Sequence, residues 1–179
     1  VCIILAGLVL IAIAIFAKHV REKRRRRALQ ARFLSEYDRT LHATGDREAA
    51  ERELQRRIDR HDRVHLREID ATRKDAIRED WLAVQVSFVD DPRRAISKAA
   101  RIVHDAMTER GYPNDDTGEQ IDLISVDYPE LVPEFRRAHL STLRGRSGEA
   151  ETEELRQAFL RYRVLLQRLL EPHTHAVRS

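Results

Sequence analysis

Residues 90–113, DDPRRAISKAARIVHDAMTERGYP, decide the fold class. Asp91 followed by Pro92 is a helix start: the carboxylate accepts a backbone N–H that has no intrahelical partner, and the fixed φ of proline suits the first turn. Ala95, Ala99, Ile102, Val103, Ala106 and Met107 then recur three and four apart, a buried face whose small residues let another helix come close. Gly111 ends the pattern, with Tyr112 and Pro113 beyond it. On the N-terminal side, Thr72 can cap a helix that carries Ile77, Trp81, Val84 and Phe88 on one face. On the other side, residues 114–118 read as a turn and Ile121, Leu123 and Ile124 as a short helix. Leu131, Val132, Phe135, Ala138, His139 and Leu143 trace a further helical face, broken over 145–148. A last helix, capped by Thr152 and closed by Pro172, carries Leu155, Phe159, Tyr162, Leu166, Leu169 and Leu170. With only six Gly and five Pro in 179 residues, a turn-rich β fold is excluded. Residues 71–171 therefore predict an all-α bundle, and 172–179 a loose tail.

Residues 28–70 are also helical in pattern but poorer in core. Phe33, Tyr37 and Leu41 lie four apart, and Gly45 interrupts them, with Thr44 and Asp46 placed to cap. A following helix over about 46–66 carries Ala50, Leu54 and Ile58, then His61 and His65 in the same row. Its pairs Glu48/Arg52 and Glu53/Arg57 suit an exposed surface. No heptad pattern is sustained, so a charged stalk or hairpin is expected rather than a coiled coil.

Residues 1–17, VCIILAGLVLIAIAIFA, contain no charged side chain, and residues 18–27 follow with seven cations and one anion. At 1.5 Å per residue the apolar run makes a helix about 26 Å long, against a hydrocarbon core of about 30 Å. Extension to Val20 with Lys18 snorkelling, or residues ahead of Val1, closes the gap. The expectation is a transmembrane helix over 1–20 and a basic juxtamembrane segment over 21–27. The opening Val reads as a trimmed or alternative start. Ala12-Ile13-Ala14 offers a signal-peptide cleavage site, but such peptides carry their cations before the apolar run and here they come after it. Cations beside a span mark the cytoplasmic side, which places the N-terminus outside and the bulk of the chain in the cytoplasm. Lys18, Arg21, Lys23, Arg24, Arg25, Arg26 and Arg27 are the expected membrane-surface contacts. The remaining chain holds 26 of the 33 cations and 29 of the 30 anions, so the high pI belongs to ten residues and not to a basic domain. No specific nucleic-acid binding is expected, and no aromatic side chain in the basic run could stack on bases.

Chemistry-bearing motifs are sparse. His61 and His65, in HDRVH, have the i, i+4 spacing that metals use, but the zincin pattern needs Glu where Asp62 stands, and no third ligand is evident. His104 and His139 lie by apolar faces without a nucleophile nearby. The acid pairs Asp90-Asp91 and Asp115-Asp116 suit caps and turns. P-loop, GxGxxG, GxSxG and EF-hand patterns are absent. Trp81, Phe88 and Tyr162 read as core, with a partner-binding groove as the other use. The single Cys2 excludes an internal disulfide framework and a multi-cysteine metal site.

EYDRT (36–40), TGDREAAERELQRR (44–57), WLAVQVSFVDDP (81–92), RGYP (110–113), SVDYPE (125–130) and TEELRQAFLRYR (152–163) together resemble a family of small actinobacterial membrane-anchored or secreted proteins of unknown function. The resemblance covers most of 33–170. It implies a bacterial source and single-pass anchoring, and brings no catalytic residue. The chain departs from the family's Ser-Pro-type cap, having Ala71-Thr72-Arg73 there. The expected function is a non-enzymatic protein-interaction or scaffold module, without cofactor, whose partners are the lipid bilayer and either another protein or its own copy. The alternatives are a metal-dependent hydrolase using His61 and His65, and an anionic-lipid sensor at the membrane surface.

Overall fold

The computed structural model describes residues 2–114 and 116–172, the side chains of 2–12 excepted. Among the described residues there are eight helices and no strand: α1 (Cys2–Phe33), α2 (Ser35–Thr44), α3 (Arg47–His61), α4 (Ala71–Ser87), α5 (Pro92–Arg110), α6 (Thr117–Asp127), α7 (Val132–Ser147) and α8 (Thr152–Leu170). They fall into two compact units, Val1–Arg56 and Arg57–Ser179.

The second unit begins at Arg57, within the stretch read as stalk, and contains the helices expected for the bundle; it is organised about α5, which packs against α8, α4 and α7, while α7 also packs against α8 and α6. The α5 boundaries are set as its sequence dictates. Asp91 accepts a hydrogen bond from the Arg94 N–H at 3.0 Å, and Gly111 ends the helix at φ 103. Ala95, Ile96, Ala99, Val103, Ala106 and Met107 are buried against Ile77, Trp81 and Val84 of α4 and the Leu155–Leu169 face of α8 within one apolar core. The Ile, Val, Leu and Met side chains among them stabilise by about 1.5–3 kcal/mol each when buried, and the alanines by less. Contrary to the break expected over 145–148, Gly145 lies inside α7, where an added Cβ would come within 2.8 Å of Leu155 Cδ2, and the helix ends at Gly148. Likewise α4 is capped by Asp70, whose carboxylate accepts from the Arg73 N–H at 2.9 Å, and not by Thr72. Thr152 opens α8 with no side-chain cap bond.

In the first unit α1 runs unbroken to Phe33. Leu34, at φ 49, then turns the chain into α2, so the apolar row read through Leu41 is bent: Leu29, Phe33, Tyr37 and Thr40 are buried, and Leu41 is only partly so. Gly45 ends α2 in the left-handed conformation, and Asp46 starts α3 by accepting from the Ala49 N–H at 2.7 Å. Among the described residues no helix is long and apolar enough to cross a membrane. That finding does not carry the transmembrane helix expected over 1–20: the side chains of 1–12 lie outside the described residues, and 13–20 is short and includes Lys18 and His19. The tail expected over 172–179 lies, beyond Pro172, outside the described residues too.

Candidate functional site

The basic segment is helical throughout, so its side chains are set 100° apart around α1 and not strung along a loop. Lys18, Arg21, Lys23, Arg24, Arg25 and Arg27 are exposed. Lys18 Nζ lies 3.8 Å from Glu22, a solvated pair of little energetic weight. Arg26 differs. It shares a face with Leu29, Gln30 and Phe33, is half-buried with its Nε out of solvent, and sits beside Tyr37, whose hydroxyl donates to Glu51 Oε1 at 3.2 Å. Burial raises the Tyr37 pKa, the Glu51 carboxylate adds to this, and the Arg26 guanidinium pulls the other way. The i+3 and i+7 relation of Arg26 to Leu29 and Phe33 was the available sign that it faces inward. Just before the cations, Ile13, Ile15 and Phe16 are 57%, 64% and 70% exposed on the helix.

The two histidines of HDRVH do not share a helical face. α3 ends at His61, a turn follows, and exposed His65 lies in the irregular stretch before α4. His61 is largely enclosed, its Nε2 2.7 Å from Asp127 Oδ2, which also accepts from the Tyr112 hydroxyl. Burial acts to lower the His61 pKa, but Asp127, then Asp62, outweigh it and the net direction is up. Burial, then the Asp127 charge, pushes the Tyr112 hydroxyl well above its ordinary value. Nearby, Arg57 and Arg136 share Asp122 at 3.2 and 3.1 Å, and Arg60 faces Glu119 at 4.0 Å. This is a row of opposite charges. Among the described residues no group of three His, Cys, Asp or Glu is placed to hold a metal ion.

The other candidates have structural partners. His104 Nδ1 is 2.8 Å from Gln120 Oε1 and its Nε2 meets Asn114 Oδ1, while Gln120 Nε2 donates to the Pro113 carbonyl at 2.7 Å; the set pins the loop after α5. Burial, then Arg146, lowers the pKa of half-buried His139. Asp91 and Asp116 are helix caps, and Asp115 lies outside the described residues. Trp81 stacks on Phe159 at 4.5 Å with Phe88 5.4 Å from the same ring. The Tyr162 hydroxyl, 3.1 Å from Thr142 Oγ1, is pushed by burial up to about 12. These aromatics are core. What the second unit leaves exposed is apolar surface: Leu82, Val86 and Val89 in a row along and just past α4, and a groove of about 300 Å³ between α7 and α8 over Leu131, Leu160 and Val164, with Glu134 and Arg161 paired at 2.6 Å on its rim.

No family model, curated protein or solved structure matches this chain.

Proposed function

We propose that this is a non-enzymatic, single-pass membrane protein whose helical domain, on the cytoplasmic side, binds another protein or a second copy of itself. The observation that carries the reading is α1. Ile13, Ile15 and Phe16 are exposed on it and continue the uncharged run 1–12, so that the sequence 1–17 offers no charged side chain on any side, and six exposed cations follow without a break in the helix. A helix apolar on all sides needs a covering that one protein face does not supply, and lipid is that covering. The cations after it set the orientation, N-terminus out and domain in. The resemblance to small anchored or secreted actinobacterial proteins supports the anchor alone. Interaction rather than catalysis is supported by the ion-paired state of the polar cluster and by the exposed aliphatic row of α4 and the α7/α8 groove.

Alkaline carbonate extraction of membranes from a bacterial host expressing the full chain tests the anchor, and crosslinking in those membranes tests the interaction. The chain is expected to stay in the pellet and to give crosslinked species. Complete extraction into the supernatant, or recovery of monomer alone across a series of crosslinker lengths, overturns the corresponding half of the proposal.

A further inference from the structure

The helix that carries the cations does not stop where the apolar run ends. α1 is one helix from Cys2 to Phe33, and the 100° spacing of its residues fixes both the side and the height of each basic group. Counted from Lys18 along the axis, Arg21, Arg24 and Arg27 stand about 4.5, 9 and 13.5 Å farther on. The electrostatic screening length at physiological salt is about 8 Å. A flexible basic tail would let every arginine fall onto the bilayer surface equally. A helical rod does not.

We propose that the exposed cations of α1 bind the phosphate-bearing headgroups of anionic lipids in order of their height on the helix, Arg21 before Arg24 before Arg27, while Arg26 takes no part. This rests on the anchored reading above and names the lipid partner of the same segment. Three observations place it. The cations are exposed on a continuous helix. Glu22 is the only anion among residues 18–27, so the segment's positive charge is nearly uncompensated. Arg26, which composition alone would count with the rest, is turned to the packed face with Leu29 and Phe33 beside Tyr37. A cation held at an anionic surface favours an anionic over a neutral lipid by about five-fold, and the preference decays over a screening length. Nucleic acid, the other polyanion, is disfavoured because no aromatic side chain stands between the cations.

The test reconstitutes the full chain into nanodiscs of equimolar phosphatidylglycerol and phosphatidylcholine and counts the lipids that leave with the protein by native mass spectrometry. The amount of chain recovered in the discs reports the anchor separately from the headgroup preference. Wild-type chain is expected to carry phosphatidylglycerol and phosphatidylcholine at a ratio of roughly five to one, against one to one in the disc. R21Q should lose most of that enrichment, R24Q less and R27Q least. R26Q should keep it and instead lower the thermal stability of the first unit, read by circular dichroism. Normal recovery with lipids at the disc ratio overturns the proposal while leaving the anchor standing. Equal losses at Arg21, Arg24 and Arg27 overturn the ordering and show a flexible tail, and a loss at Arg26 equal to that at Arg21 overturns the placement of that side chain. Displacement of the bound phosphatidylglycerol by a short RNA at equal phosphate concentration would assign the segment to nucleic acid.

Discussion

Gly111→Ala perturbs the point where the end of α5 meets the stretch before α4. Gly111 has φ 103, and an added Cβ would lie 2.5 Å from the His65 carbonyl oxygen. The backbone conformation alone costs a non-glycine residue about 1–3 kcal/mol. The clash adds about 1–3 kcal/mol, because a carbonyl cannot swing aside like a side-chain tip. Lower entropy of the unfolded chain offsets up to about 1 kcal/mol. The net expectation is roughly 2–4 kcal/mol of destabilisation, or a fall of roughly 5–15 °C in the melting temperature of the second unit. Relief of the clash also has to move the backbone near Arg67, whose N–H donates to the Arg110 carbonyl at 2.9 Å and whose Nε donates to the Glu109 carbonyl at 2.8 Å. Hydrogen exchange at the Arg67 amide should therefore speed up in the variant. Gly45→Ala is the control: φ is 67, but no atom lies within 4 Å of the added Cβ, so only the conformational cost applies, about 1–2 kcal/mol in the first unit. Melting of the full chain in detergent, followed by circular dichroism, gives both values. A Gly111→Ala melting temperature within 1 °C of wild type, with Arg67 exchange unchanged, would refute the close approach at His65.

Phe159→Ala should cost about 3–5 kcal/mol by emptying the space beside Trp81 and Phe88; because Trp81 is the only tryptophan, its emission should shift to the red, and an unshifted spectrum would contradict the stack. Leu34→Gly should stabilise by about 1 kcal/mol, since a strained positive φ is relieved and only part of that gain is returned as unfolded-chain entropy; a lower melting temperature would argue against the bend at that residue. His61 has its pKa raised in the folded chain, so its contribution is complete below the unfolded value of about 6.5 and is lost as pH rises through the higher folded value. The difference in stability between wild type and His61→Gln should therefore shrink from pH 6 to pH 8, whereas for His139, whose pKa is lowered, the stabilising contribution is present above about 6.5 and is lost as pH falls through the depressed folded value. A wild-type advantage over His61→Gln that grew with pH would place the imidazole away from Asp127.

The bundle was legible where short-range chemistry sets a helix end. Asp91-Pro92 and Gly111 bound α5 because a cap carboxylate and a left-handed glycine act locally, and the apolar faces of α4, α5 and α8 follow from their spacing. Breaks made by tertiary packing were not legible. Nothing local marks Leu34 as a bend or ends α3 at His61, so His61 and His65 read as one row of a helix and emerged as a His61 contact to Asp127, 66 residues away, plus an exposed His65. Gly145 misled in the opposite sense: glycine reads as a breaker, but here it admits Leu155 from the neighbouring helix. In the basic segment six of the seven expected contacts are exposed. Arg26 shows that charge composition and charge placement are separate facts, since the helical period and not the residue type turned it inward.

The placement of α1 in lipid with the helical units on the cytoplasmic side is tested most directly by protease treatment of sealed membranes of both orientations. In spheroplasts expressing the full chain, an added protease should leave residues 28–170 intact, and in inverted vesicles it should degrade them. Degradation in spheroplasts, or release of a chain clipped near its beginning into the medium, would contradict the account.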